Sequence, residues 1–222
     1  MQETIYLLAV MWYTVKTNRQ RKMDQMELQK GKAIAESRRV DDDVARSLHK
    51  RFVAFDVETT GLSPRTDRIV EIGAVLFVDG KPADEFSTLV NPLVRMPASA
   101  TAINHITNDM LAAAPEEGEV YPKLLRFLGD VMEGKTFLCA HNARFDMDFL
   151  CNTLTRLGHS ASIRYVDTLN LSRKYIKGLE NYKLSTVEQY FGLINADAHR
   201  AASDAEMCRK ILCKVLGLIK GE

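Results

Sequence analysis

The sequence predicts an α/β fold in which a mixed five-stranded sheet is flanked by helices. Three apolar segments rich in β-branched residues come first, at residues 52–57, 69–78 and 86–90, and short turns join them. Helical segments then alternate with two short strands, at residues 136–140 and 165–167. Sequential strands followed by alternating strands and helices are typical of a mixed sheet with helices on its faces.

Turn and cap residues support the order of these elements. Asp79-Gly80 is a strong hairpin signal between the second and third strands, and Asn91-Pro92 ends the third. Apolar residues at helical spacing, together with capping residues, predict the helices. These helices are expected at residues 99–103, 121–132 and 145–157, from Thr168, from Ser185 to Gly192, and at 203–219 with Ser203 as the N-cap.

Residues 1–50 differ from the rest of the chain and predict an N-terminal helical extension ahead of a domain at 51–222. Residues 5–15 form an apolar run, shorter than the ~20 residues that span a bilayer. Residues 14–51 hold 11 Lys and Arg against 6 Asp and Glu, and 16–50 are expected to be mostly helical. Three roles stay open: docking or oligomerisation through the helix, anchoring at a membrane surface, and contact with nucleic-acid phosphate.

Composition is ordinary for a soluble globular protein. The chain has 222 residues, of which 46% are hydrophobic and 27% charged, and its net charge of +1 excludes a strongly basic nucleic-acid binder. The four cysteines have no metal-ligand spacing, which favours free thiols in a reducing, cytoplasmic compartment. Peripheral membrane association through the first segment is the alternative.

A first acidic cluster lies at the end of the first predicted strand. Asp56 and Glu58 are two residues apart, so strand alternation turns both carboxylates to the same side. Two like charges held together are costly unless a cation lies between them, and oxygen ligands select Mg²⁺ or Mn²⁺ over Zn²⁺. Two solvated acids would give the same pattern, so this pair alone is weak evidence for a metal site.

Two further clusters follow later in the chain. The segment His141-Asn142-Ala143-Arg144-Phe145-Asp146 comes directly after a predicted buried strand, and Asp146 falls in the first turn of the next helix. Asp148 points about 200° away from Asp146 around that helix, so one of the two acids faces the site. His199 lies in a loop five residues before Asp204, which begins the last helix.

Together the clusters resemble the three motifs of the DEDDh (DnaQ-like) 3′–5′ exonucleases. The matching segments are FDVETTGL at 55–62, HNARFD at 141–146 and HRAASD at 199–204, and INHIT at 103–107 resembles a further family segment. The family includes the proofreading epsilon subunit of DNA polymerase III and the exonuclease domain of the Gram-positive replicative polymerase. The resemblance implies a ribonuclease H-like fold from Arg51 to about Leu218.

The resemblance also implies residue roles. Asp56, Glu58, Asp146 and Asp204 would be the acidic ligands of two Mg²⁺ or Mn²⁺ ions, and His199 would be the general base for the attacking water. Other residues in or beside the motifs would bind or position the terminal nucleotide. These residues are Thr59, Thr60, Gly61, Leu62, His105, His141, Asn142 and Phe145.

The function implied is a 3′–5′ exonuclease that releases nucleoside 5′-monophosphates from single-stranded or frayed 3′ ends of DNA, in proofreading, repair or turnover. RNA is the alternative substrate. A non-catalytic module that binds 3′ ends and a membrane-associated nuclease are the alternative functions. No clamp-binding segment follows the last predicted helix, so a stand-alone enzyme is expected rather than a stable polymerase or clamp partner.

Overall fold

The computed structural model describes residues 31–195 and 197–220, and six strands within them form one sheet. The strands are β1 (Ala33–Ser37), β2 (Arg51–Thr59), β3 (Ile69–Val78), β4 (Lys81–Leu89), β5 (Phe137–Ala140) and β6 (Ala161–Asp167). Their order across the sheet is β1-β6-β5-β2-β3-β4. The predicted meander is present as the antiparallel strands β2, β3 and β4, whereas β1, β6, β5 and β2 run parallel.

Helices cover both faces of this sheet. They are α1 (Asp42–Lys50), α2 (Ala98–Asn104), α3 (Asn108–Ala112), α4 (Glu117–Leu128), α5 (Arg144–Arg156), α6 (Thr168–Tyr175), α7 (Leu184–Tyr190) and α8 (Ala201–Lys220). A short 3₁₀ helix, Gly129–Glu133, leads into β5. The predicted α/β class is therefore confirmed.

Alternation along β2 divides the core into two layers. Val53 and Phe55 are buried in the layer that includes residues of α4 and α5. Phe52 and Ala54 are buried in the other, with residues of α1, α6, α7 and α8. Because successive side chains on a strand point to opposite faces, Asp56 continues the side of Phe52 and Ala54, towards α8.

The prediction of five strands and of helix through residues 33–37 was wrong. Residues 33–37 form β1, which pairs in parallel with β6 from Ala33 opposite Ala161 to Ser37 opposite Tyr165. Helix propensity favoured the other state, but the free edge of β6 supplies backbone hydrogen bonds that a local sequence pattern does not reveal. Residues 42–50 are helical as expected, and Asp41 caps that helix by accepting a hydrogen bond from the Val44 N–H.

Other features of residues 1–50 remain predictions. The apolar run at 5–15 and most of the basic segment lie outside the described residues. The division at residue 50 also stays a prediction, although α1 buries Val44 and Leu48 in the same core layer as β2. Among the described residues, no helix combines the length and the apolar character needed to cross a membrane.

The strand directions decide where a site can form. Since β1, β6, β5 and β2 are parallel, their carboxyl ends lie along one edge of the sheet. In α/β sheets, ligands bind in crevices outside the carboxyl ends of the strands. The three motifs predicted from sequence begin at this edge or approach it, which brings distant parts of the chain together.

Candidate active site

Asp56 and Glu58 lie at the carboxyl end of β2, and both are half-buried. Burial raises the pKa of Asp56 well above its usual range, and the carboxylates of Asp146, Asp204 and Glu58 raise it further. Burial also raises the pKa of Glu58 to about 7, although a hydrogen bond from Asn104 opposes the shift. The carboxylates therefore repel one another at one point of the edge.

Asp146 approaches this pair from the opposite layer of the core. It lies in the first turn of α5, is buried, and accepts a hydrogen bond from the Val57 N–H at 3.1 Å. Burial raises the pKa of Asp146 well above its usual range, against the opposing effect of the backbone hydrogen bonds. Asp148 is exposed and lies 3.5 Å from Arg144, so Asp146 is the acid that faces β2.

Asp204 and His199 come from the start of α8 and the loop before it. Asp204 is buried, and its two carboxylate oxygens accept from Asn195 Nδ2 at 2.7 Å and from the His199 N–H at 3.2 Å. His199 is exposed and has a left-handed backbone with φ of 65°. The helix begins at Ala201, earlier than predicted, and the Ser203 hydroxyl donates to Asn195 Oδ1.

These side chains converge. One ligand atom each from Glu58, His199 and Asp204 lies within 4.8 Å of the others. Asp56 lies two residues before Glu58 on β2, and Asp146 accepts from the N–H of Val57 between them, so both acids belong to the same cluster. Several carboxylate oxygens with raised pKa values suit a hard divalent cation, whose charge would offset their repulsion.

Glu71 and Arg200 support the cluster, and the motifs did not predict either residue. Glu71 on β3 pairs directly across from Glu58 on β2 and is almost fully buried. Its carboxylate accepts from Arg200 Nη2 at 2.6 Å, from Arg200 Nε at 3.0 Å and from the Ala201 N–H at 3.1 Å. An acid inside the apolar strand IVEIGAVLFV was the available signal.

Gly73 explains how closely α8 approaches the sheet. It lies opposite Asp56 on the neighbouring strand. A Cβ atom there would collide with the backbone of Ala201 and Ala202. Glycine at this position therefore lets the start of α8, which carries Asp204, lie directly on β3.

A pocket of about 340 Å³ opens beside Glu58. Its lining includes the turn after β2, residues 59–62, together with residues of α2 and Phe145. Leu62 is 84% exposed at its rim. Asn104 was not predicted as a site residue, but it is buried and donates to the Thr59 carbonyl at 3.4 Å.

The hydroxyls of the predicted substrate-binding threonines hold the turn itself. Thr59 Oγ1 donates to the Gly61 carbonyl at 2.6 Å, and Thr60 Oγ1 accepts from the Arg68 N–H at 3.0 Å. His105 is the exposed, left-handed C-cap of α2. Both threonine hydroxyls therefore already have hydrogen-bond partners. The turn offers a ligand in the pocket mainly its backbone groups.

His141 and Asn142 differ in their exposure and in their hydrogen bonds. Both ring nitrogens of His141 have partners, Thr168 Oγ1 at 2.9 Å and the Tyr182 carbonyl at 2.8 Å, and burial lowers the pKa of the ring. Asn142 is exposed, and its N–H donates to Asp167 Oδ1. Asp167, the last residue of β6, also caps α6 by accepting from the Leu169 N–H.

Comparison with known proteins gives relatives of two kinds. The chain is 39% identical over 171 residues to the DNA polymerase III subunit epsilon of Treponema pallidum, covering 76% of this chain and 77% of that protein. It is 38% identical over 166 residues to the PolC-type DNA polymerase III of Clostridium perfringens, covering 75% of this chain. The chain spans 11% of the length of that polymerase.

Solved structures show the same fold. Exonuclease X, solved in complex with 5′ overhanging duplex DNA, is 27% identical with a TM-score of 0.57, over 78% of this chain and 93% of that one. E. coli exonuclease I, solved with a dT13 oligonucleotide, is 19% identical with a TM-score of 0.64, over 76% and 41% of the two chains. The family described as Exonuclease matches residues 53–212, which include every clustered acid and His199. The chain therefore belongs to the exonuclease family.

Proposed function

We propose that the chain is a metal-dependent 3′–5′ exonuclease that releases nucleoside 5′-monophosphates from single-stranded or frayed 3′ ends of DNA. One observation carries this proposal: four carboxylates and one histidine, from three distant segments, meet at the carboxyl edge of the sheet beside an open pocket. The named relatives, a polymerase epsilon subunit and exonucleases solved with DNA, favour DNA over RNA.

Asp56, Glu58, Asp146 and Asp204 would hold two Mg²⁺ or Mn²⁺ ions in this proposal. Their oxygen donors match the preference of these hard cations, and no soft thiolate is among them. When bound, such ions supply electrostatic stabilisation of the attacking and leaving oxygens of a phosphodiester. The protein contributes the fixed positions: the Val57 N–H orients Asp146, and Asn195 and the His199 N–H orient Asp204.

His199 would accept the proton of the attacking water. Its ring lies within 4.8 Å of ligand atoms of Glu58 and Asp204, and it is exposed to solvent, from which a water can reach it. Histidine suits this role because its ordinary pKa lies near neutrality. The hydrogen bond from its own backbone N–H to Asp204 fixes the loop in the left-handed conformation that presents the ring.

The pocket beside Glu58 would receive the terminal nucleotide. Leu62, Ile103 and Phe145 offer apolar surfaces for a base and sugar, and Leu62 and Ile103 are exposed. The backbone of the 59–62 turn would contact the 3′-hydroxyl. Asn104 would keep that turn in place through its hydrogen bond to the Thr59 carbonyl.

Digestion of labelled strands tests this function. Purified protein is incubated with 3′-labelled single-stranded DNA or RNA of equal sequence, in Mg²⁺, Mn²⁺ or EDTA. We expect mononucleotide release from DNA with either metal, slower release from RNA, and none in EDTA. Tight binding of 3′ ends without release in any metal would favour the non-catalytic module, and faster digestion of RNA would overturn the DNA preference.

A further inference from the structure

A second, basic pocket lies on the same edge of the sheet and takes no part in the proposed reaction. It has a volume of about 300 Å³. Arg38 and Arg39, which directly follow β1, line one side, and Asn170 and Lys174 of α6 line the other. Asn170 and Lys174 are four residues apart, so they lie on the same face of that helix.

The charge of this pocket is mostly uncompensated. Among the described residues, Arg38, Arg39 and Lys174 form no ion pair. Lys174 lies 4.7 Å from the centroid of the Tyr175 ring, which orients it without neutralising it. The pocket therefore attracts anions.

Three acids near the pocket already have other partners. Asp167, which also lines the pocket, accepts from two backbone N–H groups and from Asn170 Nδ2 at 3.1 Å. Along the chain, Asp41 caps α1, and Asp43 pairs with Arg46. The lining of three cations and one carboxylate thus keeps a positive balance.

Strand register gives the distance from the acidic cluster. Ala54 of β2 pairs with Cys139, Ala140 of β5 pairs with Asp167, and Tyr165 of β6 pairs with Ser37. The basic pocket is thus level with the acidic cluster and three strands away. At about 4.8 Å for each strand spacing, the separation is about 14 Å.

The order of sites along the edge matches a bound strand. The pocket for the terminal nucleotide is lined by the end of β2, by α2 and by Phe145, next to Glu58 of the acidic cluster. The basic pocket lies beyond β5 and β6, towards the β1 edge of the sheet. A stacked strand advances about 3.4 Å for each nucleotide, so about four nucleotides cover the 14 Å.

We propose that Arg38, Arg39 and Lys174 bind backbone phosphate of the substrate strand about four nucleotides from the 3′ end being cleaved. This proposal rests on the exonuclease function and adds a contact that determines which strand lengths bind well. Arg38 and Arg39 lie outside residues 53–212, where the family match occurs. Two of the three cations would therefore belong to the extension of this chain, and Lys174 to the matched region.

Strand length tests the proposal. KM for release of the 3′ nucleotide is measured with strands of three and ten nucleotides, because the shorter one ends before the basic pocket. In the R38Q/R39Q variant we expect the ratio of KM for ten nucleotides to KM for three to rise about tenfold over the wild-type ratio. The single K174Q variant, across the pocket, should change the ratio in the same direction.

Salt dependence gives a second readout. Each lost phosphate contact reduces the slope of log KM against log salt concentration by about 0.7 for a single strand. The slope for the ten-nucleotide strand should fall by about 1.4 in R38Q/R39Q. The matched control is K50Q/K81Q, which removes two exposed cations from the opposite end of the sheet and should keep the wild-type ratio.

A wild-type KM ratio in both R38Q/R39Q and K174Q would overturn the proposal, as would an equal change in the control. An effect seen only when the strand is annealed as a frayed duplex would assign the phosphate to the complementary strand and overturn the placement on the substrate strand. If the wild type degrades neither strand, the exonuclease proposal itself fails, and that result is distinct from an unchanged ratio.

Discussion

The Arg200 guanidinium neutralises the Glu71 carboxylate directly beside Glu58, with Arg200 Nη2 2.6 Å from Glu71 Oε1. Without Arg200, two glutamates would face each other across neighbouring strands, about 5 Å apart at Cβ. Glu71 raises the pKa of Glu58, and Arg200 lowers it. The same ion pair attaches the His199 loop to β3, because Ala201 also donates to Glu71.

Replacing Arg200 should lower the free energy of unfolding more than replacing Glu71. In Arg200→Gln, a buried anion loses its cation, so we expect the free energy of unfolding to fall by about 2–3 kcal/mol, less than the ~3–5 kcal/mol of a fully buried pair. Glu71→Gln leaves only a half-exposed arginine and should cost about 1 kcal/mol. Urea unfolding of both variants and the double variant measures this. The opposite order, or simple additivity of the two losses, would contradict the role given to Arg200.

Asn195 should increase the affinity of the site for a cation, because it orients Asp204. Its amide donates to Asp204 at 2.7 Å, so Asn195→Ala should weaken Mn²⁺ affinity by about 10–100-fold, as for other groups that orient a ligand. Titration calorimetry measures the affinity. Asn181→Ala is the matched control, since within the described part of the chain the Asn181 side chain accepts only from the Lys183 N–H and the Thr186 hydroxyl. Equal affinities in the two variants would show that Asn195 does not orient Asp204.

Without metal, the free energy of unfolding should fall as pH rises, because of Glu58. Its pKa is about 7 in the folded protein against 4.5 ordinarily, so folding favours the protonated carboxyl. This contribution is fully present below about pH 4.5 and is lost as pH rises through 7. In EDTA, the wild type should lose about 2–3 kcal/mol relative to Glu58→Gln over this range.

Urea unfolding at several pH values between 4.5 and 7.5 measures that difference. Glu85→Gln, a change at an exposed position on β4, is the control and should keep the wild-type slope. Saturating Mn²⁺ should reverse the decline, because a bound cation favours the charged carboxylate. Parallel curves for the wild type and Glu58→Gln in EDTA would contradict the raised pKa.

The sequence predicted the α/β class and placed Asp56, Glu58, Asp146 and Asp204 at the boundaries of strongly patterned elements, with His199 in the loop before the last helix. Their roles as metal ligands and as general base stay predictions. Strand β1 was missed because its five residues, AIAES, have weak strand propensity and form a strand only by pairing with β6. The pattern of residues within 33–37 does not show that the edge of β6 is free to pair with them.

Supporting contacts were missed for a related reason. Asn195 and Asn104 are ordinary polar residues in the sequence, and their roles arise from hydrogen bonds to Asp204 and to the 59–62 turn. His141 shows the opposite case: the motif predicted that it positions the substrate, and the structure gives its ring other contacts. Both of its ring nitrogens are taken by Thr168 and Tyr182, which favours a structural role.

The rate of nucleotide release by His199→Ala tests the central claim most directly. Initial rates of nucleoside 5′-monophosphate release from a 3′-labelled single strand in Mg²⁺ are compared with those of the wild type and of His49→Ala, an exposed histidine on α1. Loss of a general base typically costs about 10²–10⁴-fold, so His199→Ala should be slower by that factor while His49→Ala keeps the wild-type rate. Equal rates for His199→Ala and the wild type would contradict the account.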